Sequence, residues 1–131
     1  ASSSNGNAYK AQRAIDGQLN TGWWAEKNKI KKQWLRLNFA ENVIIKEIAL
    51  LNGFPAVWRD NSRIKEIKIS FDDQQFEFIH LKDNIKKLQI FKIKPHQLTK
   101  SVKLSITQLY LGLSFKAPGI NELKIVGCKV P

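Results

Sequence analysis

The feature that most limits what this chain can become is an alternation of apolar and polar residues with a period near two. It recurs in short runs at spacings of roughly ten residues, the pattern of half-buried strands joined by turns. WLRLNFA (34–40) puts Leu35, Leu37 and Phe39 on one face, and VIIKEIALLNG (43–53) is β-branched and ends at the turn pair Asn52-Gly53. RIKEIKISF (63–71) separates Ile67, Ile69 and Phe71 from Lys and Glu. Asp72-Asp73-Gln74-Gln75 then reads as a hairpin turn into FEFIHLK (76–82). LQIFKIK (88–94) stops at Pro95, SVKLSITQLYLG (101–112) alternates Val102, Leu104 and Ile106 with Lys103, Ser105 and Thr107, and INELKIVG (120–127) comes last. Only 9–15 and a turn near 83–87 have helical character. The expectation is an all-β, antiparallel two-sheet sandwich of about seven to eight strands, since one-sided strands must bury their apolar faces against a second sheet.

A chain of 131 residues with 43% hydrophobic content suffices for one domain with a true core. We expect residues 1–7, rich in Ser, Asn and Gly, to lie loosely, and 8–131 to form the single domain. No run approaches the roughly 18 apolar residues of a membrane-spanning helix. The opening ASSSNGNAY lacks the basic and apolar regions of a signal peptide, and with no Met the sequence reads as a processed chain or an excised domain. The single Cys128 excludes an internal disulfide and reads as a tolerated free thiol.

Function is expected in the unpatterned segments 16–33, 53–62, 94–100 and 111–119, because loops on a rigid scaffold carry recognition. They hold Trp23, Trp24, Phe54, Trp58, Phe115 and Pro118. Chemistry that breaks bonds needs grouped acids, bases or nucleophiles. Of the two histidines, His96 sits in a turn. His80 lies in a strand and is expected to face solvent while Phe76 and Phe78 face the core. Neither has a partner at a telling spacing, and no phosphate-cradling loop or zinc pattern is present. The reading is a non-enzyme. Net charge +11 favours anionic partners: acidic glycans, phospholipid headgroups or nucleic acid. The Lys27–Lys32 run with Trp24 and Trp34 has the elements of single-strand binding, but Trp34 opens a strand expected to be buried, and no nucleic-acid partner is expected.

One stretch stands apart, AIDGQLNTGWW (14–24). A tight loop with Asp16, a glycine and Thr21 gathers a carboxylate, a hydroxyl and backbone carbonyls, the oxygen set that Ca2+ or Na+ takes. Were the chain ends neighbours, Glu122 would add a second carboxylate. The plainer reading is that Asp16 caps a turn and Glu122 is solvated.

The ordered series AIDGQLNTGWW, QWLRLNF, IALLNGF, NSRIKEIKISFDD, LYLG and INELKIVG resembles the discoidin, or coagulation factor type C, domains, which are jelly rolls of the galactose-binding-like fold. Within them it is most similar to the glycan-binding type attached to bacterial secreted proteins, including NAD glycohydrolase translocation domains. The resemblance implies a structural cation, Ca2+ or Na+, held by Asp16, Gln18, Thr21 and Glu122 with the backbone carbonyls of Arg13 and Asn121. Gln18 departs from the family's usual Asn or Asp. The resemblance also implies a lectin-like module that tethers a secreted or cell-surface bacterial protein, within a larger precursor or multidomain chain. Its ligand site would lie in loops at one end of the sandwich. The residues there are Phe54, Trp58, Arg59, Asp60 and Asn61, with His80, Lys82 and Asn84, and with Phe115 and Lys116. The rings would stack on sugar faces and the polar groups would pair with hydroxyls. A host or cell-surface glycan is the expected partner. An acidic phospholipid surface or an extracellular protein is the alternative. The isolated domain is expected to be a monomer, with Trp23 in the core and Trp24 the freer of the pair.

Overall fold

The structure is a computed structural model that describes residues 1–4, 6–18, 21–26, 29, 31–52, 60–83, 85–94, 98–114 and 117–129. Two 3-10 turns, Asn7–Tyr9 and Ala11–Ile15, precede eight strands. These are β1 (Trp23–Trp24), β2 (Trp34–Leu51), β3 (Arg63–Phe71), β4 (Gln75–His80), β5 (Gln89–Lys92), β6 (Thr99–Tyr110), β7 (Gly119–Ile120) and β8 (Glu122–Lys129). Every pairing is antiparallel. The fold is the expected all-β sandwich.

The two runs 34–40 and 43–53 are one strand, not two. β2 continues through Ala40-Glu41-Asn42, and its register against β6 shifts between Asn38 and Val43. A bulge bends a strand without ending it, so β2 serves both layers. Its first part pairs with β6 in the layer β4-β3-β6-β2. Its second part lies between β5 and β8. β1 and β7 form a short separate ribbon, with Trp23 opposite Ile120.

The inward alternation of each strand makes the core. Ile64, Ile67, Ile69 and Phe71 of β3 meet Val102 and Leu104 of β6, Leu35, Ile48 and Leu50 of β2, and Leu123 of β8. Fully burying such a side chain contributes about 1.5–3 kcal/mol. The β3–β4 turn needs positive φ at both Asp72 (51°) and Asp73 (59°). Asp tolerates that region because its short side chain finds local hydrogen bonds. The Asp72 carboxylate accepts from the backbone N–H groups of Lys100 and Ser101, tying the hairpin to β6.

One expectation about aromatic residues holds only as an order and another is corrected. Trp24 is the freer of the tryptophan pair, at 7% exposed against 0% for Trp23, but it too is buried. Its ring lies on Gly119, where an added Cβ would come within 2.6 Å of the indole. Phe76 and Phe78 are 55% and 48% exposed and do not enter the core. Residues 76, 78 and 80 share one face of β4, and Ile79, opposite Ile67, is the one that turns inward. The segment expected to be loose also touches the body. Ser2 and Ser3 donate to the side chain of buried Gln33, and the Trp23 indole N–H donates to the Ser3 carbonyl.

Candidate functional site

The first loop and the last strand meet. The Gly17 N–H donates to Glu122 Oε1 at 3.2 Å, and the Thr21 hydroxyl donates to Asp16. Asp16 also accepts from the Gln18 N–H, and the Gln18 carbonyl accepts from Thr21. Gly22 fits closely against Asn121, where a Cβ would come within 2.8 Å of the Asn121 Cα. Asn121 is fully buried, and its N–H donates to the Leu51 carbonyl. The loop is thus seated on the strand by contacts that a larger residue at position 22 would break.

The electrostatics of this junction are uneven. The Thr21 hydroxyl, followed by the Gln18 N–H, holds the Asp16 carboxyl below its usual range. Burial pushes the Glu122 carboxyl up, with a smaller upward push from the nearby Asp16 charge. Glu122 Oε2 is buried without a hydrogen-bond partner among the described residues. A buried carboxylate oxygen with no donor is the group a cation would satisfy. Asp16, Thr21 and Glu122 have the oxygen donors that a hard cation takes. The Gln18 side chain is exposed, and the Arg13 guanidinium stands 3.9 Å from Asp16 as a positive charge already at hand. Among the described residues no three His, Cys, Asp or Glu side chains gather as a metal cluster.

The other region is the end of the sandwich where β2 leaves, β3 begins and β6 stops. Asn52 closes the base of the loop that follows β2. Its side-chain amide donates to the Ile64 carbonyl and its Oδ1 accepts from the Ile64 N–H, both at 2.8 Å. A side chain here takes the place of a strand partner. The loop returns at Asp60 and Asn61, which lie against Gly112, where a Cβ would meet the Asn61 carbonyl carbon at 2.3 Å. The Asp60 carbonyl accepts from the Ser114 N–H. Asn61 is buried, and its Nδ2 has no partner among the described residues. Beside it Arg63 forms a two-pronged pair with Asp83, 2.8 Å and 3.3 Å, and donates to the Asn61 carbonyl.

The structure places Asp60 and Asn61 together at this end. Lys82 is near, its backbone N–H and carbonyl paired with the Gln89 side chain and its own side chain exposed. His80 lies further along β4 on the outer face of the sheet, bonded to Glu66 at 2.7 Å. Phe54, Trp58, Arg59, Asn84, Phe115 and Lys116 lie outside the described residues. Arg63 and Asp83 were not singled out from sequence. The available signal was parity, since Arg63 alternates in step with Ile67, Ile69 and Phe71, the inward face of β3. Leu111 and Leu113, 62% and 78% exposed, also stand at this end.

Solved structures share this architecture. Chitosan-binding module 1 of a chitosanase/glucanase from Paenibacillus sp. aligns with a TM-score of 0.68 at 18% identity, covering 96% of this chain and 91% of that one. The family 32 carbohydrate-binding module of C. perfringens NanJ, solved with galactose, aligns at 0.72 and 18% identity, covering 93% and 88%. The F5/8 type C domain of a Bacteroides fragilis protein aligns at 0.66 and 15% identity, covering 91% and 81%. No curated protein sequence matches significantly. The class is therefore a discoidin-like sandwich. More narrowly, the profile described as NAD glycohydrolase translocation F5/8 type C domain matches residues 1–126, and the chain belongs to that family.

Proposed function

We propose that the chain is a non-catalytic carbohydrate-binding module that tethers a secreted or cell-surface protein to glycans through the loops at the Asp60–Asn61 end of the sandwich. The observation that carries this reading is the buried Asn61 amide. Among the described residues its Nδ2 has no partner, and Asn61 sits beside the fixed Arg63–Asp83 pair, two positions after the 53–59 segment that holds Phe54, Trp58 and Arg59. An unpartnered amide costs free energy until an acceptor reaches it, and a sugar hydroxyl is such an acceptor. Similarity in fold to modules solved with galactose or named for chitosan supports the same class of ligand.

A structural Ca2+ or Na+ would be held by Asp16, Thr21 and Glu122, with Gln18 and the carbonyls of Arg13 and Asn121 nearby. Its contribution would be to neutralise two facing carboxylates and fix the first loop to β8. A glycan array probed with a multivalent form of the domain tests the main reading. Binding to defined sugars that is lost in Asn61→Ala supports it, and a blank array contradicts it. Exposed Leu111 and Leu113 favour a second reading, insertion into an anionic phospholipid surface. In that case Leu113→Ser would abolish vesicle sedimentation and leave the array unchanged.

A further inference from the structure

The outer face of the layer β4-β3-β6-β2 is not used by the loop-end reading, and its composition is unlike an ordinary solvated sheet. The register sets residues in rows across four strands. One row runs Arg36, Lys103, Ser70, Phe76, and the next runs Trp34, Ser105, Lys68, Phe78. Beyond Trp34, β2 no longer covers β6, and an open groove of about 930 Å3 follows that edge. Lys31, Lys32, Lys68 and Lys103 line it, together with Trp34 and Thr107. None of these four lysines is in an ion pair among the described residues. The acids of the same face are already engaged. Glu66 accepts from Thr107 and is bonded to His80, and Asp73 is paired with Arg36. The face is left with concentrated, uncompensated positive charge.

We propose that this groove binds an acidic polysaccharide chain, one that carries repeated carboxylate or sulfate groups. Charge complementarity supplies the attraction. Ser105, Thr107 and Gln108 in the same wall supply hydroxyl and amide groups for sugar hydroxyls. Two features separate this partner from the other polyanions. Single-stranded nucleic acid binds by stacking bases on open aromatic faces, and here ammonium groups cover them. Lys103 sits 4.9 Å from the Trp34 centroid and Lys68 sits 4.4 Å from that of Phe76. A lipid surface demands a projecting apolar contact, whereas here Ser105, Thr107 and Gln108 set hydroxyl and amide groups in the wall, with Leu109 and Leu111 at its end. The groove runs along the outer face of the sheet to Leu111, where it adjoins the loop end, and its lysines lie apart from Asp60 and Asn61.

The test is binding of a size-defined heparin fragment to the whole domain. One variant carries Lys31→Gln, Lys32→Gln, Lys68→Gln and Lys103→Gln. A second carries the same charge change on the other layer, Lys92→Gln, Lys94→Gln, Lys124→Gln and Lys129→Gln. Circular dichroism establishes that both fold. The groove variant should bind about tenfold more weakly, as four exposed ion pairs together would require, and the second variant should change less than about twofold. Wild-type affinity should fall as salt rises. Asn61→Ala should leave heparin binding intact, which keeps this result separate from that of the loop-end site. Equal loss in both lysine variants, or no binding by the wild type, overturns the groove. Tighter, groove-dependent binding of oligothymidylate or phosphatidylserine vesicles overturns the glycan assignment.

Discussion

The Gly17 N–H donates to the Glu122 carboxylate, joining residues 105 positions apart and fastening the first loop to the last strand. The bond lies beside a buried, unpartnered Glu122 oxygen, so the same contact exposes a cost. Burial and the nearby Asp16 charge both work against Glu122 ionising. Its folded pKa is raised, so the folded state holds the proton longer, and stability falls as pH rises from the ordinary carboxylate value to the raised one.

A consequence is that Glu122→Gln should be as stable as the wild type, or more so, at neutral pH without divalent cation, since glutamine still accepts from Gly17. Added Ca2+ should raise the melting temperature of the wild type and leave Glu122→Gln unmoved. Thermal unfolding with and without calcium checks this. An equal response in both proteins would remove Glu122 from the cation site.

The hairpin carboxylates behave in the opposite sense. Burial raises the Asp72 carboxyl, but the N–H groups of Ser101 and Lys100 more than offset it, so the net shift is downward. The Arg36 guanidinium lowers Asp73. Stability from these groups is present above the ordinary carboxylate range and is lost as pH falls through the lowered values. Asp72→Asn keeps a residue that tolerates positive φ and isolates the charge. It should cost about 1 kcal/mol at neutral pH. Denaturant titrations in acid should show the difference vanish.

Asn52→Ala removes both side-chain bonds to Ile64 and leaves buried backbone groups without partners. A loss of about 2–3 kcal/mol is expected. Hydrogen exchange of the Ile64 amide should accelerate well beyond that of core amides such as Leu104.

Gly119→Ala drives a methyl group into the Trp23 carbonyl and the Trp24 indole, at 2.4 Å and 2.6 Å. Overpacking of this kind costs about 1–3 kcal/mol. Tryptophan emission should shift to the red as Trp24 is pushed from its place. An unchanged spectrum and midpoint would contradict the packing of β1 on β7.

The inward faces of β3 and β6 were legible because Ile67, Ile69, Val102 and Leu104 alternate strictly with polar residues, whereas the two-residue strands β1 and β7 are too short to show a period. The meeting of Asp16 with Glu122 was legible only through resemblance, since no local rule pairs residues so far apart. Alternation assigns two faces but does not say which one is inside. On β4 two phenylalanines on one face lost to a single Ile79, because Ile79 is the residue opposite Ile67. The break between the runs 34–40 and 43–53 falls within one bent strand, because a bulge interrupts the alternation without ending the strand. The Arg63–Asp83 pair and the lysine groove depend on register between distant strands, which the sequence does not print.

A two-dimensional amide NMR titration of the domain with galactose and with chito-oligosaccharides reads sugar binding at the Asp60–Asn61 end most directly. Saturable shifts confined to Asp60, Asn61, Arg63, Lys82 and the 111–114 segment are expected for at least one of these sugars, with Ile90–Lys92 and β8 unmoved. Shifts confined to the opposite end of the sandwich, or none with either sugar at saturating concentration, would contradict it.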